Sequence, residues 1–561
     1  MAQPYLLIPA SGATQSDEWV RLGIEAQMMG KFPDAERHYR QALRLDPQHV
    51  IATQNFAVLY AQTNNLIEAL LTMERASLFD GVNPIVYANR AFMCLEADRI
   101  DEALAAARQG LAMGPTTETR LALAVILATA GLPDEAIPLY NAILDQHPQH
   151  LQAGPNACFV QTLTTATPAD LQQQRAKWYR ANRYHGEKKP HPNERTGTRQ
   201  LKVGYVSGDF KTHSAAMIFS AVLLQHDPAQ VEMFLYSTLP VDPAADPKTK
   251  LFQEAVGPRW RDIAALTDEQ ADALIRQDQI DILVDLAGHT NGGRLALFTR
   301  KPAPIQVTAW GFAHGTGCPE IDYFLADPVT IPPEERRHYA ETVLDLPCVV
   351  TYQVPSDYQL KGSSPLPYHQ HGVITFGTYA RYEKLSDGYL RTCHAILTRV
   401  NGSRMHFKDH AFRRPYAIRR ILGAMPGIDK GRLLFSISTN HQEHLSAMQQ
   451  ADIMLDPFPH SGGVVGLEQL YMGVPIVTLY GSQAAGRTTS SVLTAMGRLD
   501  WIAKTPDDYI ERAVALAQDI PALIQVRQTL REELLASPVI IGYREAVEAT
   551  YRTIWQKWCA S

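Results

Sequence analysis

The sequence predicts an α-helical solenoid followed by two α/β domains with parallel sheets. Three observations lead to this prediction. A helical pattern recurs with a period of about 34 residues up to about residue 150. Short apolar strands alternate with helical stretches from about residue 199, in two successive series. Polar residues and glycine turns follow several strands directly, as they do at the ligand-binding edge of a doubly wound sheet.

The helical period is visible in small residues at equivalent places. These are Ala35, Ala69, Ala103 and Ala136, at spacings of 34, 34 and 33 residues. Small residues let two helices approach closely, so we expect these alanines to be buried, as in tetratricopeptide repeats. The turns between paired helices are predicted at Gly30, Asn64, Asp98 and Gly131.

Two asparagines mark a face of the predicted solenoid. Asn55 and Asn89 lie 34 residues apart, on the first helices of neighbouring repeats. Stacked repeats form an extended groove, and asparagines along it can hydrogen-bond the main chain of an extended peptide. The alternative is that both are ordinary solvated residues. We therefore expect protein or peptide partners along the repeat groove.

Bulk composition restricts the class of protein. The 561 residues carry a formal net charge of -6, with 45% hydrophobic and 20% charged residues, so we expect three or four globular units and no nucleic-acid partner. The six cysteines form no CxxC pair, and a disulfide framework or zinc site is not expected. No apolar run predicts a membrane segment or signal peptide, which favours a cytoplasmic protein.

The domain boundaries are predicted from these changes of pattern. They are 1–153 for the repeats, 154–198 for a helical transition and linker, 199–355 and 356–540 for two Rossmann-like domains, and 541–561 for a terminal helix. The predicted strands of the first domain are 201–206, 231–236, 282–286, 305–309 and 323–326. Those of the second are 373–379, 404–408, 432–436, 452–456 and 475–480.

Four polar residues stand just after different predicted strands. They are His213, Lys384, His444 and Glu468. A lone histidine or lysine in a loop is usually a solvated surface group. However, strand ends of two facing domains are where ligands of doubly wound sheets bind, so we expect these four to line one cleft. The turn SGGVVG, which precedes Glu468, resembles a phosphate cradle at a helix start.

Several segments together resemble the protein O-linked N-acetylglucosamine transferases, and more closely their short bacterial homologues. These segments are LKVGYVSGDFKTHS, DILVDLAGHTNGGR, RKPAPIQVTAWGF, IDYFLADP and LDPFPHSGGVVGLEQLYMGVPIVTLYG. The resemblance extends from about residue 15 to 558. It implies a GT-B fold and inverting transfer of N-acetylglucosamine from UDP-GlcNAc to serine or threonine hydroxyls of proteins, with no metal and no other cofactor.

The resemblance also implies roles for individual residues. His213 and Lys384 are the expected catalytic residues, the first near the acceptor hydroxyl and the second on the donor diphosphate. His444 is expected beside the nucleoside and Glu468 on the ribose. The remaining expected nucleotide-sugar contacts are Gly463, Val464, Val465, Arg381, His289, Gly311 and Ala313. Arg487 is expected to support the cleft structurally. Because no DxD motif is present, Lys384 and backbone amides must neutralise the diphosphate.

The sequence departs from the animal enzymes at the phosphate-binding turn. A His-Thr-Thr run is replaced by Gly463, Val464 and Val465, which removes two hydroxyl contacts, and a loop proline is replaced by Ala313. Two alternatives therefore stay open: a fucosyltransferase or other nucleotide-sugar transferase, and a repeat scaffold with a weakened catalytic module. The proton acceptor is also open, since His213, a donor phosphate oxygen or water could serve.

Overall fold

The computed structural model describes residues 5–79, 81–355, 365–437 and 440–561. Packing divides the chain into two units, one comprising Met1–Ala153 with Arg413–Arg420, the other Gly154–Phe412 with Ile421–Ser561. The predicted boundary between the two Rossmann-like domains, at residue 356, lies outside the described residues. We call the two units the repeat unit and the sheet unit.

The repeat unit consists of paired antiparallel helices. They are α1 (Gln15–Met28), α2 (Phe32–Leu45), α3 (Val50–Gln62), α4 (Leu66–Ala76), α5 (Pro84–Glu96), α6 (Ile100–Met113), α7 (Thr117–Thr129) and α8 (Pro133–Gln146). The four predicted alanines are fully buried on the second helices of these pairs. A side chain larger than a methyl group at those positions would push the paired helices apart.

The turns between paired helices confirm the predicted register. Gly30, Asn64, Asp98 and Gly131 have φ values of 71°, 60°, 59° and 78°. This left-handed conformation is easiest for glycine and next easiest for asparagine and aspartate, which explains the choice of residues at this position.

Asn55 and Asn89 are fully buried, so the alternative that they are ordinary solvated residues is wrong. Their side chains are hydrogen-bonded to the main chain of Leu6 and Ile8 in the segment before α1. The repeat unit therefore places an extended stretch of its own chain against these asparagines.

The first α/β domain of the sheet unit contains seven parallel strands. They are β1 (Leu201–Ser207), β2 (Val231–Ser237), β3 (Trp260–Asp262), β4 (Ile282–Asp285), β5 (Ile305–Thr308), β6 (Tyr323–Ala326) and β7 (Thr342–Asp345). Their order is β3-β2-β1-β4-β5-β6-β7, and β1 pairs β4 with Val203 opposite Ile282. Strand order reverses between β1 and β4, where ligands of such sheets bind.

The second α/β domain repeats this arrangement with six parallel strands. They are β8 (Thr375–Thr378), β9 (Arg404–Lys408), β10 (Leu433–Ser436), β11 (Ile453–Leu455), β12 (Ile476–Leu479) and β13 (Ile502–Ala503). Their order is β10-β9-β8-β11-β12-β13, so the reversal lies between β8 and β11. The predicted fold class, a helical solenoid followed by two Rossmann-like domains, is confirmed.

The remaining helices follow α8 along the chain, and one of them, Pro415–Ala424, belongs largely to the repeat unit. They are α9 (Ala153–Val160), α10 (Pro168–Asn182), α11 (Ser214–Leu223), α12 (Pro247–Val256), α13 (Asp268–Gln277), α14 (Leu295–Phe298), α15 (Pro367–His371), α16 (Asp387–Arg399), α17 (Pro415–Ala424), α18 (His441–Met448), α19 (Val464–Tyr471), α20 (Thr488–Ala495), α21 (Pro506–Gln518), α22 (Ile520–Ala536) and α23 (Tyr543–Ala560). None of the helices described here has the length and apolar character needed to cross a lipid bilayer.

Three strands were missing from the sequence prediction: β3, β7 and β13. All three lie at the edge of a sheet and pair with a single neighbour, and β13 has only two residues. β3 and β7 contain at most one buried residue each, and β13 also contains one, so none of them shows the run of buried positions on which a prediction from sequence depends. The ten predicted strands are all present, with ends shifted by at most two residues.

The last helix, α23, returns to the first α/β domain. Tyr543 accepts a hydrogen bond from Trp310 Nε1 at 3.0 Å, and the hydroxyl groups of Tyr551 and Tyr205 lie 3.3 Å apart. The two α/β domains are therefore joined by buried contacts from the end of the chain as well as by the chain between them.

Candidate active site

His213 lies at the carboxyl end of β1, where it caps α11. Its Nδ1 accepts a hydrogen bond from the Ala215 N–H at 3.3 Å and lies 3.5 Å from Asp209 Oδ2. Burial lowers the pKa of His213, and Asp209 opposes this effect while Lys211 and Arg381 add to it. The ring is 44% exposed and neutral near pH 7, so it presents an unprotonated imidazole to the space beyond the strand.

Two further histidines lie in the loops after β4 and β5. His289 Nε2 donates to the Thr316 carbonyl at 2.8 Å, which leaves Nδ1 buried without a partner among the described residues. Neither ring nitrogen of His314 has a partner there either, although the side chain is buried. Burial lowers the pKa of His289 to about 4 and that of His314 well below its usual range. These three ring nitrogens are available to hydrogen-bond a bound molecule.

Gly311 and Ala313 belong to the same loop. A Cβ at Gly311 would lie 1.6 Å from the Leu286 carbonyl oxygen, so the backbone itself requires glycine there. Ala313 is half-buried between Phe312 and His314, whose rings lie 5.7 Å apart. Gly311 thus shapes the loop through packing, and Ala313 stands beside the unpartnered histidine.

Lys384 lies beyond the carboxyl end of β8, in a 3-10 turn, and is buried. Its Nζ donates a hydrogen bond to the Ser461 carbonyl at 2.6 Å. Burial lowers the pKa of Lys384 to about 7; Arg381 acts in the same direction, and Asp456 and Glu383 oppose it. A lysine in this state becomes fully charged when an anion binds beside it.

The loop after β11 brings the start of α19 close to Lys384. Asp456 fixes this loop by accepting from the Gly462 N–H and the Thr478 hydroxyl, both at 2.7 Å, and burial raises its pKa to about 6. Gly463 then begins α19 with a φ of 64°, and Val464 is buried. The first amides of α19 have no acceptor within the helix, as at any helix start.

Arg381 connects the two α/β domains electrostatically. It is exposed, lies over the Phe159 ring at 5.5 Å, and lowers the pKa of both His213 and Lys384. His213 from the first domain and Lys384 from the second therefore share Arg381 as a charged neighbour.

Glu468 and His444 form a second cluster, on α19 and α18. The two carboxylate oxygens of Glu468 accept from His441 Nε2 at 2.7 Å and His444 Nε2 at 3.1 Å. Lys408, at the end of β9, donates to His444 Nδ1. Burial alone would raise the pKa of Glu468, but the two histidines hold it below its usual range, and burial lowers the pKa of Lys408 to about 8.

Two predicted residues of the second domain remain, Val465 and Arg487. Val465 is half-buried on the first turn of α19. Arg487 is buried and structural: its guanidinium pairs with Glu335 of the first domain at 2.7 Å and donates to the Gly481 carbonyl at 2.6 Å. It joins the two α/β domains.

Sequence reasoning missed three residues of the site. Lys408 and His441 complete the Glu468 cluster, and His441 lies three residues before His444 on one helix face, a spacing that could have revealed it. His460 hydrogen-bonds Thr162 Oγ1 at 3.1 Å, and burial together with Lys384 and Arg381 lowers its pKa well below the usual range. Thr162 belongs to the predicted transition segment, which thus contacts the loop after β11.

A cavity of about 400 Å³ lies elsewhere in the second domain. Its lining includes Gln370, Arg404 and His406, but neither Lys384 nor Glu468. The candidate site is therefore placed at the turns that carry His213 and Lys384 and not at this cavity.

Two sheets in Rossmann order, with polar groups at their facing carboxyl edges, define the GT-B class of glycosyltransferase folds. The model of glycosyl transferase family 41 matches residues 146–354 and 348–544, and tetratricopeptide repeat models match residues 16–49 and 95–150. The chain belongs to glycosyl transferase family 41. The predicted resemblance to O-GlcNAc transferases is confirmed by the relatives that follow.

Plant proteins are among these relatives. The chain is 35% identical over 376 residues to the probable UDP-N-acetylglucosamine–peptide N-acetylglucosaminyltransferase SPINDLY of Petunia hybrida, covering 65% of this chain and 40% of that protein. It is 29% identical over 377 residues to the probable transferase SEC of Arabidopsis thaliana, covering 65% and 38%. The chain thus spans about two fifths of the length of these plant relatives.

A solved bacterial structure matches almost the whole chain. It is a lysine-to-methionine mutant of the O-GlcNAc transferase of Thermobaculum terrenum, with a TM-score of 0.78 and 26% identity. The match covers 98% of this chain and 99% of that one.

Proposed function

We propose that this protein is an inverting, metal-independent transferase that moves N-acetylglucosamine from UDP-GlcNAc to serine or threonine hydroxyls of proteins. One observation carries the proposal: Lys384, buried and poised at a pKa of about 7, lies beside the start of α19 and shares Arg381 with His213. The site thus offers positive charge for a diphosphate next to a neutral imidazole.

The donor fits the second domain. The diphosphate would bind between Lys384 and the first amides of α19, where positive charge and N–H groups favour an anion. The nucleoside would bind at the cluster of His444 and Glu468, whose carboxylate can also accept from ribose hydroxyls. The sugar would then extend toward His289 and His314, which have ring nitrogens to hydrogen-bond it.

The proposed reaction requires both a correctly positioned acceptor hydroxyl and stabilisation of the departing diphosphate. An acceptor hydroxyl must approach the anomeric carbon opposite the departing diphosphate, so positioning and leaving-group stabilisation supply most of the acceleration. As the glycosidic bond breaks, negative charge grows on the diphosphate, and Lys384 stabilises it. His213 is placed to orient the hydroxyl or to take its proton; a phosphate oxygen of the donor or a water is the alternative acceptor.

The test combines product analysis with one matched pair of variants. Mass spectrometry of proteins co-expressed with the chain should detect added N-acetylhexosamine on serine or threonine. Lys384→Met should reduce turnover at least 100-fold, since such an electrostatic contact accounts for a few kcal/mol. Lys430→Met, which removes an exposed lysine of the same domain, should leave turnover unchanged.

Four results would contradict the proposal in whole or in part. A wild-type chain that transfers no sugar would favour the scaffold alternative, and binding of guanosine diphosphate but not uridine diphosphate in calorimetry would favour a fucosyltransferase. A fall of more than about 5 °C in the melting temperature of Lys384→Met would give the lysine a structural role instead. Full turnover of a His213→Ala variant would remove that residue from the mechanism.

A further inference from the structure

Residues 5–10, which we call the docked segment, lie against the two asparagines of the repeat unit. The Leu6 N–H donates to Asn89 Oδ1 at 2.9 Å, and Asn89 Nδ2 donates to the Leu6 carbonyl at 2.8 Å. Ile8 makes the same pair of bonds with Asn55, at 3.0 and 2.9 Å. Each asparagine amide therefore binds both main-chain groups of one residue.

These contacts recognise a main chain and not a particular sequence. The bonded residues are two apart, and in an extended chain the peptide groups of such residues face the same side. Gln54 adds a bond from Nε2 to the Leu6 carbonyl at 3.1 Å, while its Oε1 is buried without a partner among the described residues. Any extended polypeptide could form the same bonds.

The side chains of the docked segment show which polypeptides the surface suits. Tyr5, Ile8 and Ala10 are buried, and the Tyr5 hydroxyl donates to Glu96. Tyr5 and Ile8 belong to an apolar cluster with Phe92 and other side chains of the repeats. The surface thus favours an extended polypeptide with apolar side chains beside the two asparagine contacts.

No further asparagine is available at the equivalent helix position. Counting 34 residues back from Asn55 gives Arg21 on α1, and counting 33 residues forward from Asn89, the spacing of the last two repeats, gives Ala122 on α7. The docked segment therefore fills both asparagine sites that this position provides in the four described repeats. A second polypeptide could use them only after the segment leaves.

We propose that the docked segment is a tethered ligand of the peptide-binding groove, which an incoming extended polypeptide must displace from Asn55 and Asn89. The role of the incoming polypeptide as an acceptor for glycosylation rests on the proposed function. The contacts of the docked segment with Asn55 and Asn89 do not depend on the proposed function. The competing interpretation is that residues 5–10 are a permanent structural cap of the repeats.

The first experiment measures binding of a fluorescently labelled peptide with the sequence of residues 5–14, YLLIPASGAT, to the full chain by anisotropy. The double variant Leu6→Pro/Ile8→Pro lacks both donated N–H groups. It should bind the peptide roughly ten- to a hundredfold more tightly than wild type, because a short tether gives the segment a millimolar effective concentration. Adding Asn55→Ala and Asn89→Ala should abolish that gain.

Pro9→Ala is the matched control, because Pro9 is exposed within the docked segment and has no N–H to donate. It should bind the labelled peptide as weakly as wild type. Equal affinity of wild type and the double proline variant would overturn the proposal, and so would tight binding that survives loss of both asparagines.

A second measurement uses the unmodified chain and does not depend on the proline variants folding. Hydrogen exchange at the Leu6 and Ile8 amides should be slow, and adding excess unlabelled peptide should accelerate it at least tenfold. Slow exchange that no peptide concentration changes would identify a permanent cap and refute displacement. Free exchange without peptide would show that the segment is not docked.

The transfer assay separates this inference from the proposed function. If this inference and the proposed function are both correct, the KM of the double proline variant for an unfolded acceptor protein should be at least tenfold lower than that of wild type, with the same kcat. If no variant transfers sugar but the peptide and exchange results are as expected, the tethered ligand stands and the proposed activity fails.

Discussion

Lys384 should make binding of a nucleoside diphosphate depend on pH above neutrality. In the free protein its pKa is lowered from 10.5 to about 7, chiefly by burial. A bound diphosphate would raise that pKa by supplying negative charge. The affinity contributed by the charged lysine is therefore complete below pH 7 and is lost as the pH rises toward the pKa of the complex.

The magnitude follows from the fraction of Lys384 that is protonated before binding. With a pKa of about 7, this fraction is about one half at pH 7 and about one hundredth at pH 9. If the complex keeps the lysine charged throughout, affinity should fall about 50-fold over that range. The terminal phosphate of the ligand has a pKa near 6 and contributes little there.

The assay is isothermal titration calorimetry with uridine diphosphate and with uridine at pH 7, 8 and 9. Uridine is the necessary control, because Lys408 beside the Glu468 cluster has a pKa of about 8 and also titrates. The ratio of diphosphate to nucleoside affinity isolates the effect of Lys384. In Lys384→Met this ratio should be low and independent of pH. A wild-type ratio that changes less than twofold would refute the reasoning.

Three further predictions concern single residues. Glu468→Gln should weaken nucleoside binding roughly tenfold or more in calorimetry, because it removes the charge that two histidines hold in place. Gly311→Ala should lower the free energy of unfolding in urea by about 3 kcal/mol or more, since its Cβ would overlap a carbonyl oxygen, whereas Gly423→Ala, with open space around it, should not destabilise. Arg487→Ala should cost about 3 kcal/mol by leaving Glu335 unpaired, and a double-mutant cycle with Glu335→Ala should recover part of that loss.

The candidate site was predictable where a residue follows a strand. His213 and Lys384 lie in the turns after β1 and β8, and Glu468 lies on the helix that follows β11; parallel topology brings these connections to one edge of each sheet. His460 and Lys408 also follow strands or end them, yet no local pattern distinguishes them from other polar residues. Their importance comes from neighbours far away in sequence, such as Thr162 and Glu468.

The sequence alone determined the repeat period, the turn positions and the two series of strands, because helices, turns and buried strands are set by local spacing and backbone preference. Tertiary structure decided the rest. It placed α23 against Trp310, paired Arg487 with Glu335, and laid Leu6 and Ile8 on the asparagines of the repeats. Such contacts join residues separated by 47 to 233 positions. Their formation depends on side-chain packing and on hydrogen bonds to buried polar groups. The periodicity of a single segment carries no information about either.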